Sequence, residues 1–416
     1  MNYSLGLPGE GVIFTTERFV LPPDKHNLPP IGAEADEKRV AFIPTPFTFR
    51  DPATIPRRRF VYGRHFIRGF VSATLAPGGV GKSSLALVEA VAMATGRNLL
   101  GVQPPLTVWY VNLEDPREEI ERRVAAICLH FRIDPAEIEG RLFFDGRETE
   151  IVLATQTKSG AVVAVPVVEA LKAAIKDNAI DVAMIDPFVS SHRVAENDNN
   201  AIDLVVKALG RIAGETNAAI DVVHHTRKNG GAEITAEDSR GASAQVAAAR
   251  SVRVLNRMSE SEAERAGVEE EQRRRYFRVE IDKANLAPPT KAAWCCLESV
   301  ALGNGSGGII DDQDYIAVVI PWTWPDVFQD VTAADLREVQ KRVAAGRCRE
   351  NSQAADWVGN IVADVLGLDA GNKAHKAKIK SILKTWKMNG ALVAVPGKDD
   401  ARREKTFIEV GVLADG

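Results

Sequence analysis

The chain has 416 residues, 45% hydrophobic and 26% charged, a make-up expected of a soluble globular protein with two or three domains. A net charge of -4 excludes a uniformly basic nucleic-acid binder, so any such contact must be local. No apolar run is long enough to span a bilayer, and the opening MNYSLGLPGEG lacks the charged-then-apolar layout of a signal peptide, so a cytoplasmic location without a membrane partner is expected.

Residues 1–56 carry Pro22, Pro23, Pro29, Pro30, Pro44, Pro46, Pro52 and Pro56 with little periodicity, which suggests an extended arm. Arg57, Arg58 and Arg59 follow; a contact with nucleotide or a neighbouring subunit and a solvated turn are both open. Residues 70–75 (FVSATL) are β-prone, and 84–95 carry apolar residues at helical spacing. Between them stands Ala76-Pro77-Gly78-Gly79-Val80-Gly81-Lys82-Ser83-Ser84, which has the form of a phosphate-binding loop between a strand and a helix. The glycines let backbone N–H groups curl around phosphate oxygens, Lys82 reaches the β and γ phosphates, and Ser83 is placed to ligate Mg²⁺. ATP or GTP is the expected ligand. The usual motif opens with Gly, and Ala76 fits that position if its φ is negative.

Residues 107–113 (TVWYVNL) suit a strand buried on both faces and end in Glu114-Asp115-Pro116, at the end of the strand where α/β sheets keep their ligands. The next helix shows Ile120, Val124, Ile127 and Phe131 on one face. A second apolar strand, 181–186, ends in Asp186 and is followed by Pro187; this suits the metal-side carboxylate that holds Mg²⁺ opposite Ser83, although a plain strand-end acid has the same signature. A polar loop (190–200) and a helix through Leu204, Val205, Leu209 and Ile212 come next. A strand over 219–223 runs into His224-His225, and after Arg240-Gly241-Ala242-Ser243 a short helix reaches Arg250 and a strand over 252–255. This alternation predicts an α/β fold with a mainly parallel sheet. Residues 260–275 read as a solvated helix, 276–282 and 292–300 as closing strands, and 303–330 as a linker, which gives a domain over 57–302. Cys128, Cys295, Cys296 and Cys348 lack metal-site spacing and read as small core residues.

The last segment, 331–416, is predicted to be a small winged-helix-like domain. Ile379, Ile382, Leu383 and Trp386 share one helix face, and Lys373, Lys376, Lys380, Lys384 and Lys387 share an adjacent one. Asn389-Gly390 ends that helix, and 391–395 can pair with 405–410 as a hairpin. The segment holds 15 Lys+Arg against 11 Asp+Glu, a net of +4, which leaves -8 for residues 1–330. Basic charge thus sits where a DNA contact is useful, or forms a solvated face on a domain that binds protein.

Hydrolysis needs a group that orients or deprotonates water, and Pro187 occupies the place directly after Asp186 where many P-loop families put a Glu. Glu114 is the best-placed alternative; helix N-terminal electrostatics is its other role. The order of these pieces (76–84, Val111 to Asp115, Met184 to Pro187, Val223 to His225, and Arg240 to Ser243 ending at Arg250) resembles the RecA-like ATPases of plasmids and prophages, best known from RepA-type hexameric replicative helicases. The resemblance covers about residues 57–300. It implies a RecA-like P-loop core in which Glu114 is the catalytic base, Asp186 the metal-side acid, His225 a γ-phosphate sensor, and Arg250 a finger inserted into the neighbouring subunit's site. Loops 190–200 and 228–240 would face single-stranded nucleic acid in the ring channel. The expectation is an ATP- and Mg²⁺-dependent ATPase that forms a homo-oligomer, a hexamer by resemblance, and acts on DNA as a replicative helicase; an ATP-switched DNA-binding regulator and a recombination or defence component are the alternatives.

Overall fold

The computed structural model describes residues 44–101, 103–226, 233–236, 243–288, 290–307, 312–399 and 401–414. The chain divides into two units, Met1–Pro56 and Arg57–Gly416. Most of the arm read from the prolines lies outside the described residues. Among those described, the 3-10 turn Pro52–Thr54 is capped by Asp51, whose Oδ1 accepts from the Ala53 N–H at 2.9 Å.

The second unit opens with a hairpin of β1 (Phe60–Tyr62) and β2 (Phe66–Ile67), then β3 (Val71–Pro77) and α1 (Lys82–Thr95). Next come β4 (Val108–Asn112), α2 (Arg117–Phe131), β5 (Leu142–Asp145), the hairpin β6 (Ala154–Thr157) and β7 (Gly160–Val163), and α3 (Val165–Asp177). After β8 (Val182–Asp186), α4 (Asn199–Thr216), β9 (Ala219–Thr226), α5 (Ser243–Ala248) and β10 (Ser251–Arg257), the chain makes α6 (Glu260–Ala266), α7 (Glu270–Arg273), β11 (Tyr276–Ala284), β12 (Ala293–Ala301) and β13 (Tyr315–Trp322).

Nine of these strands form one sheet in the order β13-β12-β11-β10-β3-β9-β8-β4-β5. From β10 to β5 neighbouring strands are parallel, and β11, β12 and β13 add an antiparallel edge. Helices cover both faces, so the parallel strands are apolar on both. In β8, Val182 and Met184 join one core cluster while Ala183 and Ile185 join the other. The P-loop strand β3 lies mid-sheet, and α1 behind it is buried nearly all round.

Three stretches depart from the sequence reading. Residues 315–322, inside the span read as a linker, are the edge strand β13, because Ile316, Val318 and Val319 pack on the core. The charged span 260–275 is two short helices; Gly267 takes φ +70° and closes the first. Between 132 and 180, where the sequence reading assigns nothing, stand β5, the β6–β7 hairpin and α3.

The C-terminal segment contains α8 (Ala333–Ala345), β14 (Cys348–Arg349), α9 (Val358–Leu366), α10 (Lys373–Met388), β15 (Leu392–Lys398) and β16 (Glu404–Val410). Ile379, Ile382, Leu383 and Trp386 are buried, as their spacing predicts, with Val339, Val362 and Ile408. The expected hairpin is present, and β14 adds a third strand in the order β14-β16-β15. Helix α6 packs against α10. The four cysteines are free, Cys128 half-buried and the others buried. No helix among the described residues is long and apolar enough to cross a membrane.

Candidate active site

The phosphate-binding loop is built from the end of β3. Ala76 is fully buried within that strand and is absent from the positive-φ residues, so Ala substitutes for the usual Gly without strain. Gly79 and Gly81 take φ +73° and +111°, which an L side chain resists. At Gly81 a Cβ would also lie 3.2 Å from Leu297 Cδ2. Val80, buried between Gly79 and Gly81, anchors the loop in the core, while a Cβ on Gly78 would meet nothing within 4 Å. Helix α1 starts at Lys82 without a side-chain cap, so the first-turn N–H groups of Lys82, Ser83 and Ser84 remain for an anion.

Strands β4 and β8 bring the acids beside this loop. They are parallel and in register, Asn112 opposite Asp186. Asp186 is 2% exposed, and the Tyr110 hydroxyl donates to its Oδ2 at 2.8 Å. Burial, reinforced by Asp186, keeps that tyrosine protonated. Among the described residues no hydrogen bond falls on Asp186 Oδ1. A buried carboxylate with one oxygen uncommitted, together with the Ser83 hydroxyl, is a hard-oxygen donor set that fits Mg²⁺.

Asn112 shapes the turn that carries the other acid. Its Oδ1 accepts from the Glu114 N–H at 2.9 Å and the Asp115 N–H at 2.7 Å, an Asx turn. Asp115 is then engaged by Arg123 at 2.8 Å, which leaves Glu114 as the carboxylate free for chemistry. In the register of β3 and β9, Ala76 is opposite His225. His225 Nε2 is 3.9 Å from Glu114 Oε2. Burial and Lys82 push the His225 pKa down, with Glu114, Asp186 and Glu196 opposing them. Lys82 is 6% exposed; burial lowers its pKa, and Asp186, Glu114 and Asp115 pull it back up. Lys82, Glu114, Asp186 and His225 therefore meet at one end of the parallel sheet.

His224, one residue earlier, points to the other side of β9. Burial, aided by His225, His192 and Lys82, pushes its pKa down to about 4, and its Nδ1 is buried without a hydrogen-bond partner.

Arg250 is not brought to this site. It precedes β10, whose first residue Ser251 is opposite Ser72, so it lies at the far end of β3 from the P-loop, ~20 Å along the strand. Its side chain is exposed and has no ion pair among the described residues. Loop 190–200 is held by backbone bonds from Gln156 N–H to Arg193 O at 3.1 Å and from Arg193 N–H to Ala154 O at 2.8 Å, which join it to β6. Most of loop 228–240, and Arg240 to Ala242 of the sequence motif, lie outside the described residues.

Sequence reading missed several groups. Arg257, at the other end of β10 from Arg250, donates from Nη2 to the Gly79 carbonyl at 2.5 Å. Beneath the P-loop runs a buried chain across α1, β10, β3 and β9. Arg253 donates to both Glu89 oxygens at 2.6 Å and to Thr74 Oγ1 at 2.8 Å, Thr74 donates to Asp221 Oδ2 at 2.8 Å, and His65 Nε2 is 2.9 Å from Asp221 Oδ1. A lone Glu in the apolar run LALVEAVAMA and a lone Arg inside a central strand are the signals that mark such a pair.

A protein-family model described as an AAA domain matches residues 36–231. Among solved structures, that of the RadB recombinase aligns with 16% identity over 56% of this chain and 89% of its own, with a TM-score of 0.37. Together with the strand–P-loop–helix unit in the middle of the parallel sheet, the domain match supports a P-loop ATPase core.

Proposed function

We propose that the chain is a Mg²⁺-dependent ATPase that assembles as a homo-oligomeric ring, a hexamer by resemblance, and acts on DNA as a replicative helicase of a mobile element. The convergence of Lys82, Glu114, Asp186 and His225 beside the P-loop carries the ATPase reading. Bound Mg²⁺ supplies charge neutralisation for phosphoryl transfer, with Ser83 and Asp186 as its holders. Gly78, Gly79, Val80, Gly81, Lys82, Ser83 and Ser84 hold the phosphates. Lys82 balances negative charge there, and Glu114 orients the attacking water and takes its proton. His225, 3.9 Å from Glu114 and opposite Ala76 of the P-loop strand, would sense the terminal phosphate. The far-end position and exposed guanidinium of Arg250 suit a cation delivered to a neighbour's site, where it would stabilise transition-state charge.

The DNA reading is supported by the order of elements in the last segment, three helices and a three-stranded sheet with a lysine-rich α10, an order compatible with a winged helix. The test has two stages. Lys82→Ala should abolish ATP hydrolysis, and Glu114→Gln should keep nucleotide binding while losing turnover; unchanged turnover in Lys82→Ala sinks the ATPase reading. Strand displacement on forked DNA then decides the motor, because intact ATPase activity without unwinding favours the ATP-switched DNA-binding regulator.

A further inference from the structure

The C-terminal segment holds a concave site that the nucleotide chemistry does not use. Between α10, the loop from β14 to α9, and β16 lies a cavity of about 320 Å³. That is at the small end of the ~300–1,000 Å³ usual for small-molecule sites. Lys380, Lys384 and Lys387 line one wall, Glu350 and Ser352 the other, and Trp357, Leu383 and Ile408 contribute apolar surface.

The lysines recur along one stripe of α10, where residues four apart have Cβ atoms ~6 Å from each other. Glu350 is the sole acid in the lining, and its carboxylate is taken by the Lys387 ammonium. Lys380 and Lys384 are exposed and make no ion pair among the described residues. Helix α9 begins at this wall with neither a side-chain cap nor an acid in its first turn, so its positive end adds to the field of the lysines. The Trp357 indole is fixed in place: Lys376 Nζ stands 5.5 Å over the ring, and a Cβ on Gly359 would fall 2.2 Å from Cζ2.

The free groups facing this cavity are thus donors: two unpaired ammonium groups and the Ser352 hydroxyl. A carboxylate presents two acceptor oxygens and a phosphate group up to three, so the donor excess favours phosphate. We propose that this pocket is a second anion site, separate from the P-loop, which takes a phosphate group carried either by a nucleic-acid backbone or by a free phosphorylated compound.

The experiment uses the full chain with Lys82→Ala, which weakens P-loop binding, and what remains of it is common to the variants compared. Pyrophosphate is titrated calorimetrically, and duplex DNA is titrated over a range of salt concentrations, with and without Lys380→Glu/Lys384→Glu. Pyrophosphate affinity should fall ~10-fold or more. If the source is a nucleic-acid backbone, the slope of log K against log salt should also shrink by about 2, one unit per lysine. A lost pyrophosphate response with an unchanged DNA slope assigns the pocket to a free phosphorylated compound. Lys384→Gln, which removes one charge without reversing it, should give a smaller shift in the same direction and serves if the double variant melts early. The proposal is overturned if neither probe responds to either set of substitutions. The duplex arm rests on the DNA reading above and the pyrophosphate arm does not, so the two failures are distinguishable.

Discussion

Glu89→Leu tests what locks the P-loop helix to the sheet. The side chains of Glu89 and Arg253 are 6% and 5% exposed, with two parallel hydrogen bonds of 2.6 Å between them. Replacing Glu89 leaves a guanidinium buried against Thr74 with no counter-charge within bonding reach. Breaking a buried pair in this way costs about 3–5 kcal/mol, against a whole-domain stability of ~5–15 kcal/mol. Removing both charges is far milder, since a buried pair and an apolar replacement of similar volume are close in energy. Glu89→Leu/Arg253→Met should therefore recover most of the loss, though not all, because Asp221 also feels Arg253. Hydrogen exchange of the α1 amides, followed by mass spectrometry under native conditions, reads the opening energy of this helix directly. Exchange in Glu89→Leu that matches the parent, or a double variant as labile as the two single losses summed, would falsify the account.

Other predictions concern the site itself. Asn112→Ala removes the acceptor that shapes the Glu114 turn; a loss of about 1–2 kcal/mol in ordering corresponds to a ~10-fold drop in kcat with little change in KM for ATP, measured by steady-state kinetics. His224 is held near 4 against an ordinary 6.5, so between those pH values the unfolded chain binds a proton that the folded chain refuses. Stability should then fall as pH drops from 6.5 to 4, by up to about 3 kcal/mol, and His224→Leu should flatten that slope in melting curves at pH 5 and 7.5. His65 is also depressed by burial and keeps a share of the acid sensitivity. Arg250→Ala should assemble and bind ATP but not turn over. Mixing it with Glu114→Gln should restore activity at sites that pair a sound Glu114 with a neighbour's Arg250, and no recovery at any ratio argues against a shared site. Particle mass with and without ATP and DNA gives the ring size that this pairing requires.

Much of the core was legible because it depends on local patterns. The P-loop, both acidic strand ends and His225 sit where strand-to-loop transitions put them, and a parallel sheet turns those transitions toward one edge. The buried faces of α10 followed from 3.6-residue spacing alone. What escaped reading needed three dimensions. Asp115 is the neighbour of Glu114 in sequence, and its ion pair with Arg123, which takes it out of contention, is visible only in the fold. Arg257 and Gly79 are brought together by the parallel pairing of β10 with β3, which no local window reveals. The edge strand β13 was hidden by its setting, between a Gly/Asn/Ser stretch and a Pro/Trp run that both signal a break.

That strand also decides where the chain can be cut. A fragment ending at residue 302 would strip β13 and leave the nine residues of β12 as a bare sheet edge, free to pair with another copy. It would also uncouple Trp322 and Trp324 from Trp294, whose rings stack edge to face at 5.8 and 5.3 Å beside α6. Any cut that spares both clusters has to fall between Trp324 and Val327, because Val327, Phe328 and Val331 pack on the C-terminal core and Thr332 caps α8, and it would still part α6 from α10.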